Sequence, residues 1–183
     1  MSKVVVRPAD ESDAAAIARV EIAAWRAAYR GIVPDLVLDG LDLGHEASTW
    51  RERLRDQAVV KVSVADIVEP PASPRVVGYV TEGPARGEDM AGLGEVWAIY
   101  VDPAAQGRGV GRALLDAAVR GVAARGCDEA MLWVFEANAA ARGFYERMGW
   151  ALDGAAKPFA IGGATPIELC YRRRLGSRGR SAT

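Results

Sequence analysis

Residues 95–111 read EVWAIYVDPAAQGRGVG, and this stretch decides the fold class. Its first part, Glu95 to Val101, is an apolar run of high β propensity and predicts a strand. Glycines at alternate positions follow, and the apolar residues after them recur at helical spacing: Val110, Leu114, Ala118 and Val122. The stretch therefore predicts a strand, a glycine-rich turn and a helix in succession, which is typical of α/β proteins.

The glycine-rich turn has the properties of a phosphate-binding loop. Glycine allows positive φ angles and lets the backbone approach a ligand closely. The first N–H groups of a helix lack partners within it and lie at its positive end, so the turn predicts an anion site. A dinucleotide fingerprint is excluded because it needs glycine where Arg112 stands, and no P-loop sequence is present. A tight turn without a ligand is the alternative for the glycines alone.

Outside this stretch the pattern predicts one mixed α/β domain. A short strand begins at Lys3, an amphipathic helix runs to Tyr29, and a second helix passes through Trp50. Two strands precede the quoted stretch, and a strand, a short helix and one or two final strands follow it. The predicted order is βααβββαβαβ(β), with the domain over residues 1–175 and a flexible basic tail over residues 176–183.

The sequence resembles the GNAT superfamily of N-acetyltransferases at two motifs. The family signature [QR]-x-x-G-x-[GA], which follows a strand, is matched from Gln106 to Gly111. A second block, NAAARGFYERMGW at 138–150, matches at the expected distance downstream. The resemblance implies the GNAT fold, an α/β single domain with a mixed, mostly antiparallel sheet flanked by helices.

The resemblance also implies acetyl-CoA as a co-substrate, with no metal. The pyrophosphate is expected on the loop residues: Gln106, Gly107, Arg108, Gly109, Val110, Gly111 and Arg112. The strand edge at Ile99, Tyr100 and Val101 is expected to pair with the pantetheine amides, and a backbone N–H there would polarise the thioester carbonyl. Asn138 is expected to hydrogen-bond the pantetheine arm, to cap the following helix, or to do both.

Two residues match catalytic positions of the family. Tyr145 is the expected general acid, because a phenol of pKa about 10 can protonate a departing thiolate of pKa about 8.5. Glu95 stands where some members place a catalytic glutamate, and on a strictly alternating strand it would share a face with Trp97, Ile99 and Val101. A water relay is the alternative base, and a solvated charge at the strand end is the alternative for Glu95.

In the family, the first helix and the loop after it line the acceptor site. Trp25 and Tyr29 are therefore predicted substrate contacts, and a core position is the favoured alternative for Trp25. The implied reaction is direct transfer of an acetyl group from acetyl-CoA to a primary amine of a small molecule or peptide in a ternary complex. The alternative is a non-catalytic acyl-CoA-binding regulatory module.

The composition of the chain limits the kinds of partner that we expect it to bind. Five of the 23 basic residues lie in the last twelve positions, which contain no acid, so the rest of the chain is acidic and a nucleic-acid partner is not expected. The apolar stretches are too short to span a membrane, and a single histidine, His45, gives no metal-site pattern. The isolated Cys127 and Cys170 indicate reduced core residues and a cytoplasmic protein. Edge strands make a homodimer possible.

Overall fold

The helices and strands follow the predicted order, with a short helix, α2, between the first two long ones. The computed structural model describes residues 3–69, 72–87, 90 and 92–176. No helix in these ranges is both long and apolar enough to cross a membrane. The elements are β1 (Lys3–Pro8), α1 (Ala14–Ala28), α2 (Asp35–Asp39), α3 (Leu43–Arg55), β2 (Lys61–Val68), β3 (Arg75–Pro84), β4 (Leu93–Val101), α4 (Val110–Ala124), β5 (Glu129–Phe135), α5 (Ala139–Arg147), β6 (Ala151–Pro158) and β7 (Ile167–Arg174).

The strands form one seven-stranded sheet in the order β1-β2-β3-β4-β5-β7-β6. All neighbouring strands are antiparallel except β4 and β5, which are parallel. A parallel pair needs a crossover connection, and α4 supplies it. The predicted α/β class, with a mixed, mostly antiparallel sheet flanked by helices, is confirmed.

Separate hydrophobic clusters cover the two faces of the sheet. On one face, α4 buries the predicted apolar stripe against the strands, so that Val110, Leu114, Ala118 and Val122 are all at most 2 % exposed. On the other face, α1 and α3 pack together, and the side chains of Ile17 and Trp50 are buried there. The sheet is therefore held rigidly where α4 begins.

The C-terminal arginines divide between the sheet and the segment beyond it. Arg172 and Arg174 belong to β7, and they form ion pairs with Asp153 at 2.7 Å and with Glu129 at 3.2 Å, respectively. The predicted flexible tail, residues 176–183, lies outside the described residues except for Gly176.

The close approach of α4 to β4 depends on a glycine. A Cβ atom at Gly94 would lie 2.2 Å from Cγ1 of Val122, a separation that requires helix or strand to move. We expect Gly94→Ala to lower the free energy of unfolding by about 1–3 kcal/mol through overpacking. Urea denaturation measures the change. Gly176→Ala, at a position with no neighbouring atom within 4 Å, is the control, and equal stability of both variants would contradict this packing.

Candidate active site

The strands β4 and β5 separate soon after they begin. Their parallel ladder pairs Leu93 with Glu129, Gly94 with Ala130 and Glu95 with Met131, and within the described residues it extends no further. The later part of β4, residues 96–101, therefore has an edge that no described strand pairs, and it faces residues 132–135 of β5. We call the space between these two segments the strand cleft. An extended ligand can bind to such an edge as an added strand.

A β-bulge in β4 changes which side chains face each side of the sheet. In the ladder with β3, Thr81 pairs with Ala98 while Glu82 pairs with Val96, so Trp97 is an extra residue. Consequently Val96 packs with Ile99 and Val101 on the α4 face, although an alternating strand would place it on the opposite face from them.

The prediction that Glu95 shares a face with Ile99 and Val101 is therefore wrong. Glu95 lies between Gly94 and Val96, both of which face α4. Its side chain thus lies on the opposite face, the one that α1 covers. The physical reason is the bulge, which inverts the alternation between Glu95 and Ile99.

The turn after β4 is anchored by Asp102. Its backbone N–H donates to the Val77 carbonyl at 2.8 Å, and its carboxylate accepts from the Ala104 N–H at 3.0 Å. The same carboxylate pairs with Arg19 at 3.1 Å and with Arg75 at 3.3 Å. These contacts connect the turn to α1 and β3, so the glycine loop after it starts from a fixed point.

The glycine loop presents unbonded backbone donors. Gly107 and Gly109 have φ angles of 73° and 80°, and Gly109 is the N-cap of α4 without a capping side chain. Within the described part of the chain, no acceptor is bonded to the backbone N–H groups of residues 107–112, and the first helical bond runs from Ala113 to the Gly109 carbonyl at 3.0 Å. The helix dipole adds positive potential at the same place. This geometry suits an anion such as a phosphate.

The two arginines of the loop differ in their surroundings. Arg108 forms an ion pair with Glu69 from the connection between β2 and β3. The side chain of Arg112 is 75 % exposed, and its contact with Asp116 is long, at 3.8 Å. Arg112 can therefore turn towards a bound anion more freely than Arg108 can. Gln106 is exposed at the start of the loop.

Helix α5 brings two predicted residues to the strand cleft. Asn138 is its N-cap, and its side-chain oxygen accepts from the Ala141 N–H at 3.1 Å, which leaves the amide NH2 group available as a donor. Tyr145 packs in the same cluster as Ile99 and Val101 and is 7 % exposed. Burial raises the pKa of its phenol, so the hydroxyl stays protonated at neutral pH and can donate a hydrogen bond, although it is a weaker acid than an exposed phenol.

Aromatic side chains close the strand cleft on the α1 side. Tyr29, at the end of α1, contacts Phe135 of β5 with ring centroids 5.1 Å apart. Its hydroxyl also forms a hydrogen bond of 3.1 Å with the hydroxyl of Tyr100 of β4. Trp25 packs edge-on against Tyr29 at 5.2 Å. The Trp25 Nε1–H group is buried and finds no acceptor among the described residues. The two predicted substrate residues thus lie together where the strands diverge.

Glu95 is buried in an ion pair rather than open to solvent. Its side chain is 1 % exposed, and its carboxylate accepts from the backbone N–H of Arg86 at 2.9 Å and from the Arg86 guanidinium. The guanidinium also stacks on the Trp97 ring at 4.5 Å. The alternative of a solvated strand end is therefore wrong, because donors from the connection between β3 and β4 surround the carboxylate.

Sequence reasoning missed two charged residues on this face, Arg86 and Glu168. Arg86 follows β3 in a polar loop, and Glu168 stands in β7 directly opposite Phe135 of β5. Neither belongs to a motif, and only the strand register brings them near the cleft. The sequence of β7, IELCYRRR, does not alternate between apolar and polar residues, so no local signal indicates an inward-facing carboxylate at position 168.

Comparison with known proteins gives one family. The profile described as "Acetyltransferase (GNAT) family" matches residues 42–150, more than half of the chain. The chain is 34% identical over 112 residues to the uncharacterized N-acetyltransferase YuaI of Bacillus subtilis (strain 168). That alignment covers 61% of this chain and 60% of the length of YuaI.

Solved structures with the same fold cover nearly the whole chain. The PaiA N-acetyltransferase from Thermoplasma acidophilum, in complex with coenzyme A, has a TM-score of 0.72 at 17% identity and covers 94% of this chain and 99% of its own. YncA from Salmonella typhimurium, solved with its cofactor acetyl-CoA, has a TM-score of 0.68 at 25% identity. The match covers 97% of this chain and 96% of the YncA chain.

The Arg86–Glu95 pair gives a stability prediction. We expect Arg86→Met to lower the free energy of unfolding by about 1–3 kcal/mol, because it leaves a buried carboxylate without its cation. The double variant Arg86→Met with Glu95→Gln removes that charge and should recover most of the loss. Urea denaturation of both singles and the double gives the coupling free energy. If the losses in unfolding free energy of the two single variants simply add in the double variant, the pair does not interact as described.

Proposed function

The chain belongs to the acetyltransferase (GNAT) family, and we propose that it transfers the acetyl group of acetyl-CoA to a primary amine by direct attack in a ternary complex. The acceptor is the amine of a small molecule or peptide. The proposal depends on the backbone N–H groups of residues 107–112, which no described residue accepts from. They lie at the start of α4, beside the edge of β4 that no described strand pairs. The complexes of PaiA with coenzyme A and of YncA with acetyl-CoA support the choice of cofactor.

The residues present fit acetyl-CoA. The N–H groups of the loop would hold the pyrophosphate, and the space around Gly107 and Gly109 is open, with no atom within 4 Å of a Cβ placed there. Ile99, Tyr100 and Val101 would pair with the pantetheine amides along the free edge of β4. The NH2 group of Asn138, which its capping role leaves unused, would donate to the same arm.

Acetyl-CoA supplies an activated acetyl group as a thioester, which the neutral amine attacks. A C–N bond forms, the C–S bond breaks, and the sulfur leaves as a thiolate. Tyr145 donates a proton to that thiolate, and a backbone N–H of Ile99 or Tyr100 stabilises the charge that develops on the carbonyl oxygen. An acceptor that arrives as an ammonium loses one proton to solvent before the attack, which gives the neutral amine. After the attack the nitrogen loses a second proton, and this proton restores the Tyr145 phenol.

The assignment of the base stays a prediction between Glu95 and ordered water. Hydrogen bonds from Arg86 occupy both oxygens of the Glu95 carboxylate, which leaves little of it free to face an amine. Those contacts favour ordered water, rather than Glu95, as the group that takes the proton from the amine. Glu95 would then act by placing Arg86 on the α1 face of the cleft.

A thiol-release assay with acetyl-CoA and a panel of primary amines tests the proposal. Turnover above the hydrolysis background with at least one amine is the expected result. Binding of acetyl-CoA without thiol release for any amine would instead support the non-catalytic module, which the comparisons do not favour.

Replacement of the proton donor tests the role of Tyr145. Tyr145→Phe keeps the ring packed against Phe144 and Trp150 and removes only the hydroxyl. We expect kcat to fall by about 10- to 1000-fold, while the dissociation constant of acetyl-CoA stays within about twofold. Steady-state kinetics and calorimetry measure the two quantities. An unchanged kcat would remove Tyr145 from the mechanism.

Two glycines with similar backbone conformations test the loop. Gly109→Ala and Gly126→Ala both place a methyl group at a φ near 80°, and both sites have open space around the new atom. The backbone strain is therefore matched, but only Gly109 lies at the proposed phosphate site. We expect Gly109→Ala to raise the dissociation constant of acetyl-CoA about tenfold or more, and Gly126→Ala to leave it unchanged. Equal effects on affinity would count against the loop as the binding site.

A further inference from the structure

Glu168 lies on the α1 face of the sheet, beside the strand cleft. In the antiparallel ladders it stands directly opposite Phe135 of β5 and Lys157 of β6, and directly opposed residues share a face. Phe135 contacts Tyr29 of α1, which fixes that face as the one carrying the predicted acceptor residues. Glu168 is therefore a carboxylate on the acceptor side of the cleft.

This carboxylate is half-buried, and none of the described residues is a tight partner for it. Its side chain is 15 % exposed, and the cation that pairs with it among those residues is Lys157, with a nitrogen–oxygen distance of 3.6 Å. A charge-assisted hydrogen bond is typically about 2.7–2.9 Å long. Lys157 instead has its ammonium 4.0 Å from the centroid of the Trp133 ring. The structure thus contains a poorly compensated carboxylate beside the site where an amine must be positioned.

The charges around Glu168 come from three elements. They are Lys157 of β6, Arg86 of the connection after β3, and Glu95 of β4, with the phenol of Tyr29 facing them from α1. Burial raises the pKa of Glu168, and the cations Lys157 and Arg86 only partly oppose this effect. An incoming ammonium would therefore improve the electrostatic environment of the carboxylate.

The walls next to Glu168 are apolar and aromatic. Phe159, 37 % exposed at the start of the connection between β6 and β7, packs against Phe135 with ring centroids 5.6 Å apart. Trp25, on the same wall as Tyr29, has the buried Nε1–H group without an acceptor among the described residues. The described residues around Glu168 thus add an unused donor and several aromatic rings to the α1 side of the strand cleft.

We propose that Glu168 binds and orients the ammonium group of the acceptor, and that the acceptor carries this group on an apolar body. The inference rests on the proposed function and specifies the substrate class of the same site. Displacement of the loosely held Lys157 from Glu168 would accompany binding, and the aromatic walls formed by Tyr29, Phe135 and Phe159 would contact the body. A neutral isostere of the acceptor would lose only its contact with Glu168. It would keep its contacts with the aromatic walls.

The test compares 2-phenylethylamine with 2-phenylethanol, which share the apolar body and differ in charge. Calorimetric titrations use the protein saturated with coenzyme A, so that no reaction occurs. We expect the amine to bind more tightly than the alcohol. Glu168→Gln should weaken amine binding by about 10- to 100-fold, the range of a charge-assisted hydrogen bond, and leave alcohol binding unchanged.

Two further variants make the result specific. Glu129→Gln removes a carboxylate of β5 that pairs with Arg174 at 3.2 Å at the far end of the strand, and it should bind the amine like the unaltered protein. Glu168→Asp keeps the charge and should retain the preference for the amine over the alcohol, even if Glu168→Gln is less stable.

Equal amine affinity in the unaltered protein and Glu168→Gln would overturn the inference, as would the absence of a preference for the amine. A protein that takes up no coenzyme A would overturn the proposed function and, with it, the inference. Thiol release with other amines but no binding of 2-phenylethylamine would leave the proposed function intact and overturn the apolar acceptor class.

Discussion

The separation of β4 from β5 is the constraint on which the site depends. The parallel ladder ends at the Glu95–Met131 pair, and a bulge at Trp97 interrupts β4 directly after it. A single edge strand would be exposed to unspecific pairing, but here α4, α5 and the aromatic residues of α1 cover the opening on both faces. The fold therefore covers the edge of β4 with helices and aromatic side chains, while the backbone N–H groups of that edge stay without a described strand partner.

Two kinds of electrostatic environment meet at this opening. On the α4 face, backbone N–H groups and the helix dipole provide positive potential from rigid elements, anchored through Asp102 to Arg19 and Arg75. On the α1 face, carboxylates and aromatic rings surround the place where a cation can bind. A negatively charged cofactor and a cationic acceptor would thus approach from different faces, and the reacting atoms would meet between the strands. This arrangement is why Glu168, rather than a residue of the loop, is suited to select the acceptor.

Local patterns in the sequence predicted the strand–loop–helix unit well, because consecutive residues determine it. Gly107 and Gly109 adopt the expected positive φ angles, whereas Gly111 already belongs to α4, and the stripe from Val110 to Val122 is buried as the helical spacing indicates. The face of Glu95 was not predictable, since one inserted residue in the ladder with β3 reverses the alternation and no local signal marks it. Glu168 was missed for a related reason: its position depends on the register of β7 with β5, which pairs residues far apart in the chain.

The proposed function requires backbone N–H groups at the start of α4 to bind the pyrophosphate of acetyl-CoA. Titration of the 15N-labelled protein with acetyl-CoA, followed through the backbone amide resonances, tests it most directly. We expect the amide signals of Gly107, Gly109 and Gly111 to shift with the same saturation curve, while that of Gly126, at the opposite end of α4, stays in place. Saturable binding that moves other signals but leaves these loop amides unchanged would contradict it, as would no spectral change at millimolar acetyl-CoA.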